Sequence, residues 1–308
     1  MTIDTIANQL KACRSEQDVS RVRRNVEGWL TPLEIAWLVK RKNQLPEVTQ
    51  PWLSRLSSVM SSTGKSPQRY RRLSIHPDIN LFTDRSRAIS KKRLVLAFSG
   101  SAGRLLLPTG FVLQVLPSRS VDVALLHDRS RSHYMNGIAG YASDFQALVR
   151  RLISDLRSTA YEGVFCFGTS MGGLPALRCG LLIDACRSIS VGGRWPWHIR
   201  RLAVDDEANL PAFDPLCHCY SARRTNFVCV YSDGNPADRT HADRLATIFD
   251  VEKVPVVGAT GHNALDFLLT ENQLGPFLND LLGLQSEPRW WSSIGKALPA
   301  RLKRTVDT

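Results

Sequence analysis

The chain has 308 residues, 43% hydrophobic and 22% charged, a globular composition that excludes a low-complexity or disordered polymer. No run approaches about 18 consecutive apolar residues, so no transmembrane segment is expected. The net charge of +12 comes from dispersed arginines without interleaved aromatics, which predicts a solvated basic surface open to anionic contact and no nucleic-acid partner.

In chain order, the first 17 residues carry an acid, Asp4, and helical periodicity in place of a basic segment followed by an apolar one. No secretory signal is therefore expected, and a cytoplasmic location is. Residues 1–45 read as helical, with amphipathic pieces at 3–13 and 31–42. Thr31, Pro32 and Glu34 supply an N-cap, a first-turn proline and a first-turn acid for the second piece. Pro46, Pro51 and Pro67 mark residues 44–68 as linker and loop around a short helix at 52–60, so that 1–68 forms an N-terminal helical extension.

From residue 69 short apolar strands alternate with amphipathic helices, which predicts an α/β domain over 69–284 with a mostly parallel sheet and helices on both faces. Strands are expected at 73–75, 79–82, 93–99, 121–126, 164–167, 188–191, 227–231 and 252–257. Helices are expected at 108–116, 137–156, 174–182, 238–249 and 264–282. Residues 195–224 break the alternation with Pro196, Pro211 and Pro215 and are expected to form a small lid. A basic tail over 285–308 carries Trp290 and Trp291. The cysteines, at 13, 166, 179, 186, 217, 219 and 229, lack framework spacing and are expected to be reduced thiols. Cys217-His218-Cys219 has no second ligand pair at zinc-like spacing, so no metal is expected.

One stretch, GVFCFGTSMGG over 163–173, joins a strand to a helix through a tight turn carrying Ser170. A serine on such a turn needs small neighbours two residues before and after it, because the backbones pack closely; Gly168 and Gly172 supply them. The turn also aims helix N-terminal amides, including that of Met171, at the hydroxyl. These residues resemble the nucleophile elbow of the α/β-hydrolase superfamily, and the resemblance extends over about 93–282.

The resemblance implies the chain order serine, acid, histidine. His262, in a loop after the last strand, then becomes the general base. Asp238 becomes its acid, with Asp233 as the alternative in the same loop after strand 227–231. The second oxyanion amide is expected from Ser101, with Gly100 allowing close approach and contributing to substrate binding; Ser99 stands where many members of the superfamily have histidine. The loop at 128–137 lies at the carboxyl end of its strand and is expected to line a substrate pocket, with Tyr134 or the arginines binding an anionic or sugar-like group. The implied activity is a serine esterase without metal or organic cofactor, acting on a small-molecule or glycan-linked acyl ester. A peptidase, thioesterase or acyltransferase shares these features. From another class, a catalytically silent scaffold would hold an acidic polymer or protein partner through the basic surface.

Overall fold

The structure, a computed structural model, describes residues 2–195, 225–247 and 249–284. The expected lid beyond Trp195, the Cys217-His218-Cys219 cluster and the Trp-containing tail lie outside the described residues.

Eight strands form one sheet: β1 (Arg71–His76), β2 (Ile79–Thr83), β3 (Arg93–Phe98), β4 (Val121–Leu126), β5 (Gly163–Thr169), β6 (Arg187–Val191), β7 (Asn226–Ser232) and β8 (Val251–Val256). Their spatial order is β1-β2-β4-β3-β5-β6-β7-β8. β2 runs antiparallel to both neighbours, and every pairing from β4 to β8 is parallel. The central strands are near-continuous apolar runs because helices cover both faces. Alternate side chains then serve two cores. Val95, Phe167, Ile189 and Val230 face α5 (Thr109–Val115) together with α9 (Ala264–Thr270) and α10 (Leu274–Leu281). Leu94, Leu96, Phe98 and Cys166 face α6 (Phe145–Asp155) and α7 (Gly173–Ile183). Phe227, Cys229 and Tyr231 pack with α7 and α8 (Pro236–Leu245).

Four helices precede the sheet: α1 (Ile3–Lys11), α2 (Glu16–Val26), α3 (Pro32–Lys40) and α4 (Gln50–Ser62). They bury Ile6, Leu10, Val26, Leu30, Ile35, Leu38 and Leu53 in a core of their own, which Phe111 of α5 enters from the sheet side. The capping box of Thr31 and Glu34 starts α3 at the position read from the sequence. A second box, Ser15 with Asp18, starts α2, which the sequence reading did not separate from its neighbours.

Two long expected helices are shorter. The segment before α6 is a turn because Gly137 and Gly140 sit at φ 64° and 75°, and Asp144 caps the helix by accepting from Ala147 N at 2.8 Å. The expected helix over 264–282 breaks into α9 and α10, with Asn272 at φ 55° between them. Left-handed residues of this kind end a helix and re-aim the chain.

Candidate active site

At the carboxyl end of β5 the chain turns abruptly. Ser170 has φ 52°, and a single 3-10 turn over Ser170–Gly172 leads into α7. The glycines on either side are a steric requirement. A methyl group at Gly168 would strike the carbonyl of Gly172, and one at Gly172 the carbonyl of Phe98. A left-handed serine costs on the order of 1 kcal/mol, held in place here by this backbone packing. First-turn amides such as Met171 N–H have no acceptor within their own helix, and the helix terminus adds positive potential at the hydroxyl.

Two loops bring further side chains to the hydroxyl. After β7, the Asn235 side chain caps α8 by accepting from Ala237 N at 3.1 Å and Asp238 N at 3.3 Å. That leaves the Asp238 carboxylate free of capping. Its Oδ1 accepts from His262 Nδ1–H at 2.8 Å, in a setting where Asp238 is 5% exposed. His262 follows β8, and its Nε2 lies 2.9 Å from Ser170 Oγ. Asp233, the alternative acid, turns outward and pairs with Arg239 Nη2 at 2.7 Å. The carboxylate fixes the imidazole with its proton on Nδ1, leaving Nε2 as a base in reach of the serine proton.

The turn after β3 approaches from the other side. Gly100 N donates to Arg104 O at 3.0 Å and Gly103 N to Gly100 O at 2.9 Å, closing a compact loop. A methyl group at Gly100 would sit 3.2 Å from Thr169 O and 3.4 Å from Ser170 Cβ, so the loop abuts the serine turn. Ser101 is exposed at its tip. Ser170, His262, Asp238 and the Gly100-Ser101 turn therefore meet at one place.

Tyr134 does not join them. It is fully buried, its hydroxyl donating to Leu126 O at 2.8 Å and its ring packing edge-on against Phe98. Burial pushes its phenol well above the usual range. The expectation of a pocket residue fails because the loop turns this side chain inward, with Arg131, His133 and Tyr134 all left-handed at φ 55°, 57° and 59°. The neighbouring His133, which sequence reading passed over, donates from Nδ1 to Met171 O at 3.1 Å and is 4% exposed. It buttresses the elbow from beneath. No spacing signal marks it, since the link spans 38 residues. Asp128 shapes the loop by accepting from Tyr134 N at 2.8 Å and Ser130 Oγ at 2.5 Å.

Among the described residues no group of His, Cys, Asp and Glu is arranged to hold a metal ion, and no helix is long and apolar enough to cross a membrane.

No protein-family model matches the sequence, and no curated protein matches it. Solved structures are similar at low identity. The 2,6-dihydroxy-pseudo-oxynicotine hydrolase is 14% identical, with 92% of this chain and 89% of that one covered and a TM-score of 0.49. A prolyl endopeptidase is 14% identical with a TM-score of 0.48, covering 72% of this chain; this chain spans 40% of that protein's length. Brefeldin A esterase, a bacterial homologue of human hormone-sensitive lipase, is 12% identical with a TM-score of 0.45, covering 74% and 84%. In its own strand order, its parallel core with an antiparallel β2 and its serine turn after β5, the chain has the α/β-hydrolase fold.

Proposed function

We propose that this protein is a serine hydrolase of carboxylic esters. The observation that carries the reading is the continuous hydrogen-bonded line from Asp238 through His262 to a serine in a left-handed turn. Ser170 Oγ attacks the ester carbonyl while its proton passes to His262 Nε2. The carbonyl oxygen takes the electron pair and is held by the amides of Met171 and Ser101. Collapse of this intermediate expels the alcohol, which receives the proton from His262, and leaves an acyl group on Ser170. Water, deprotonated by the same imidazole, then attacks the acyl carbonyl and restores the serine. An alcohol or thiol in place of that water turns the cycle into acyl transfer, and a thioester enters it as readily as an ester. The substrate class is a small-molecule or glycan-linked acyl ester.

Mixing the protein with p-nitrophenyl acetate in a stopped-flow instrument tests this. The expected record is a burst of nitrophenol close to one equivalent per protein, followed by slower turnover, with Ser170→Ala lowering turnover by about 10³-fold or more. Turnover that survives Ser170→Ala unchanged contradicts the proposal.

A further inference from the structure

We propose that the turn joining α2 to α3 is a positioning element for the oxyanion loop, with Glu27, Gly28 and Trp29 as its positioning residues. The inference rests on the hydrolase reading above, because it assigns a purpose to the loop carrying Ser101. The loop itself is a poor candidate for rigidity. It contains Gly100, Gly103 and a left-handed Leu106 at φ 62°, and its tip is exposed. An oxyanion donor nonetheless helps only when held within a fraction of an ångström of the developing charge, and one such donor changes kcat by about 10²- to 10³-fold.

The N-terminal turn holds this loop from behind at successive residues. The Glu27 carboxylate is 7% exposed, pairs with Arg104 through one oxygen, and accepts from Trp52 Nε1 at 3.3 Å through the other. The carbonyl of the same residue accepts from Thr109 N at 2.8 Å, where the loop enters α5. A methyl group at Gly28 would strike the carbonyl of Gly103 and lie 3.0 Å from His127 Cε1, so the two backbones meet without space between them. Trp29 stacks on His127 at 5.0 Å with 7° between the planes, and His127 Nδ1 would lie 3.2 Å from a methyl group at Gly103. The Trp29 carbonyl is in turn held by Arg72 Nη1 at 3.1 Å, which ties the turn to β1.

The loop is thus gripped at residues 103, 104 and 109 on one side and abuts Thr169 and Ser170 through Gly100 on the other. A further tie joins it to the base, since Asn263 Nδ2 donates to Leu106 O at 3.0 Å and Asn263 follows His262 in the chain. A helical unit attached for stability alone would pack on the helix layer. This one sends a buried carboxylate to Arg104 of the strand-to-helix loop and stacks an indole on His127, the imidazole that backs Gly103 of that loop.

Paired substrates test the proposal: an O-ester and its thionoester, whose C=S sulfur accepts hydrogen bonds far more weakly. In the full-length protein, Glu27→Ala and Trp29→Leu should each lower kcat for the O-ester by about tenfold, with KM within about twofold. Thionoester turnover should change little, so the ratio of the two rates falls by a similar factor, and Glu27→Gln should restore most of it. Equal losses on both substrates, or full O-ester turnover in a folded variant, overturn the positioning role. If Glu27→Ala does not fold, Trp29→Leu carries the same readout, with Glu27→Gln as the near-parental control. Absence of Ser170-dependent turnover in the unsubstituted protein removes the hydrolase reading, and the inference with it. Turnover that is present while the ratio stays fixed removes the inference alone.

Discussion

Both ends of the sheet carry carboxylates and hydroxyls in hydrogen-bonded clusters, one around a lysine and the other around a histidine. At the amino end, Lys92 Nζ donates to Asp122 Oδ1 at 2.8 Å, to Thr83 Oγ1 at 3.4 Å and to the carbonyl of Asp84. Tyr161 donates to the second Asp122 oxygen at 3.0 Å, and Ser118 to the Asp84 carboxylate at 3.0 Å. The Lys92 and Asp122 side chains are 0% and 1% exposed, and the backbone at Lys92 is extended. At the carboxyl end, a carboxylate, an imidazole and a hydroxyl also form a line, but the His262 side chain is 39% exposed and the hydroxyl sits on a left-handed residue. A sealed cluster with its donors and acceptors matched stabilises. An open one on a strained turn, with an imidazole facing a hydroxyl, has the arrangement that the proposed reaction requires. Access, backbone conformation and the exchange of a lysine for a histidine separate the two.

Substitutions at both ends sharpen this contrast. The largest effect is expected from Asp238→Asn, which should lower kcat by about 10³- to 10⁴-fold with little change in melting temperature. Asp233→Asn should stay within about twofold, because its carboxylate serves Arg239 at the surface. Parallel steady-state kinetics on the two variants would show it, and equal losses would break the assignment.

At the amino end the pattern should invert. Lys92→Met strands a buried carboxylate and should cost about 3–5 kcal/mol of stability, while kcat per folded molecule holds. Adding Asp122→Leu should recover much of the loss in urea unfolding. A kcat that falls with Lys92→Met would mean the two ends are coupled.

His127 provides an intermediate case, a histidine at the reactive end that is itself sealed. Burial, against the opposing pull of Asp78, lowers its pKa from 6.5 to about 4. The unfolded chain therefore binds the proton more readily between those values. Stability from this group is present in full above about pH 6.5 and is lost as pH falls through about 4, an amount near 3 kcal/mol. Unfolding measured from pH 7 to 4 should show this slope, and His127→Phe, which keeps a ring beneath Trp29, should lack it.

The smallest expected effect concerns strain. Ser170→Gly removes the left-handed penalty and should raise stability by about 1 kcal/mol while eliminating turnover. A variant less stable than the parent would contradict the strained-turn account.

The elbow was legible in the sequence because its spacing is a steric demand: no other residue fits at Gly168 or Gly172 once strand and helix meet there. The order of serine, acid and histidine came from the resemblance that the elbow carries, and the structure brings Ser170, Asp238 and His262 together at the ends of β5, β7 and β8. Between Asp233 and Asp238, the sequence alone offered two acids in one loop. The difference lies in Asn235, which takes the capping task and leaves Asp238 to face the histidine. Tyr134 and His133 could not be placed from spacing, because three left-handed residues reverse the direction of a polar loop that resembles any solvated one. The contacts of the α2–α3 turn were equally hidden. Glu27 lies 77 residues from Arg104, and no local pattern relates them.

The central claim is that Ser170 is an activated nucleophile, and fluorophosphonate labelling followed by peptide mapping tests it most directly. The account predicts a single phosphonylated peptide containing Ser170, with labelling slowed by orders of magnitude in His262→Ala and Asp238→Asn and unchanged in Asp233→Asn. A folded protein that takes no label, or one labelled at another serine, would contradict it.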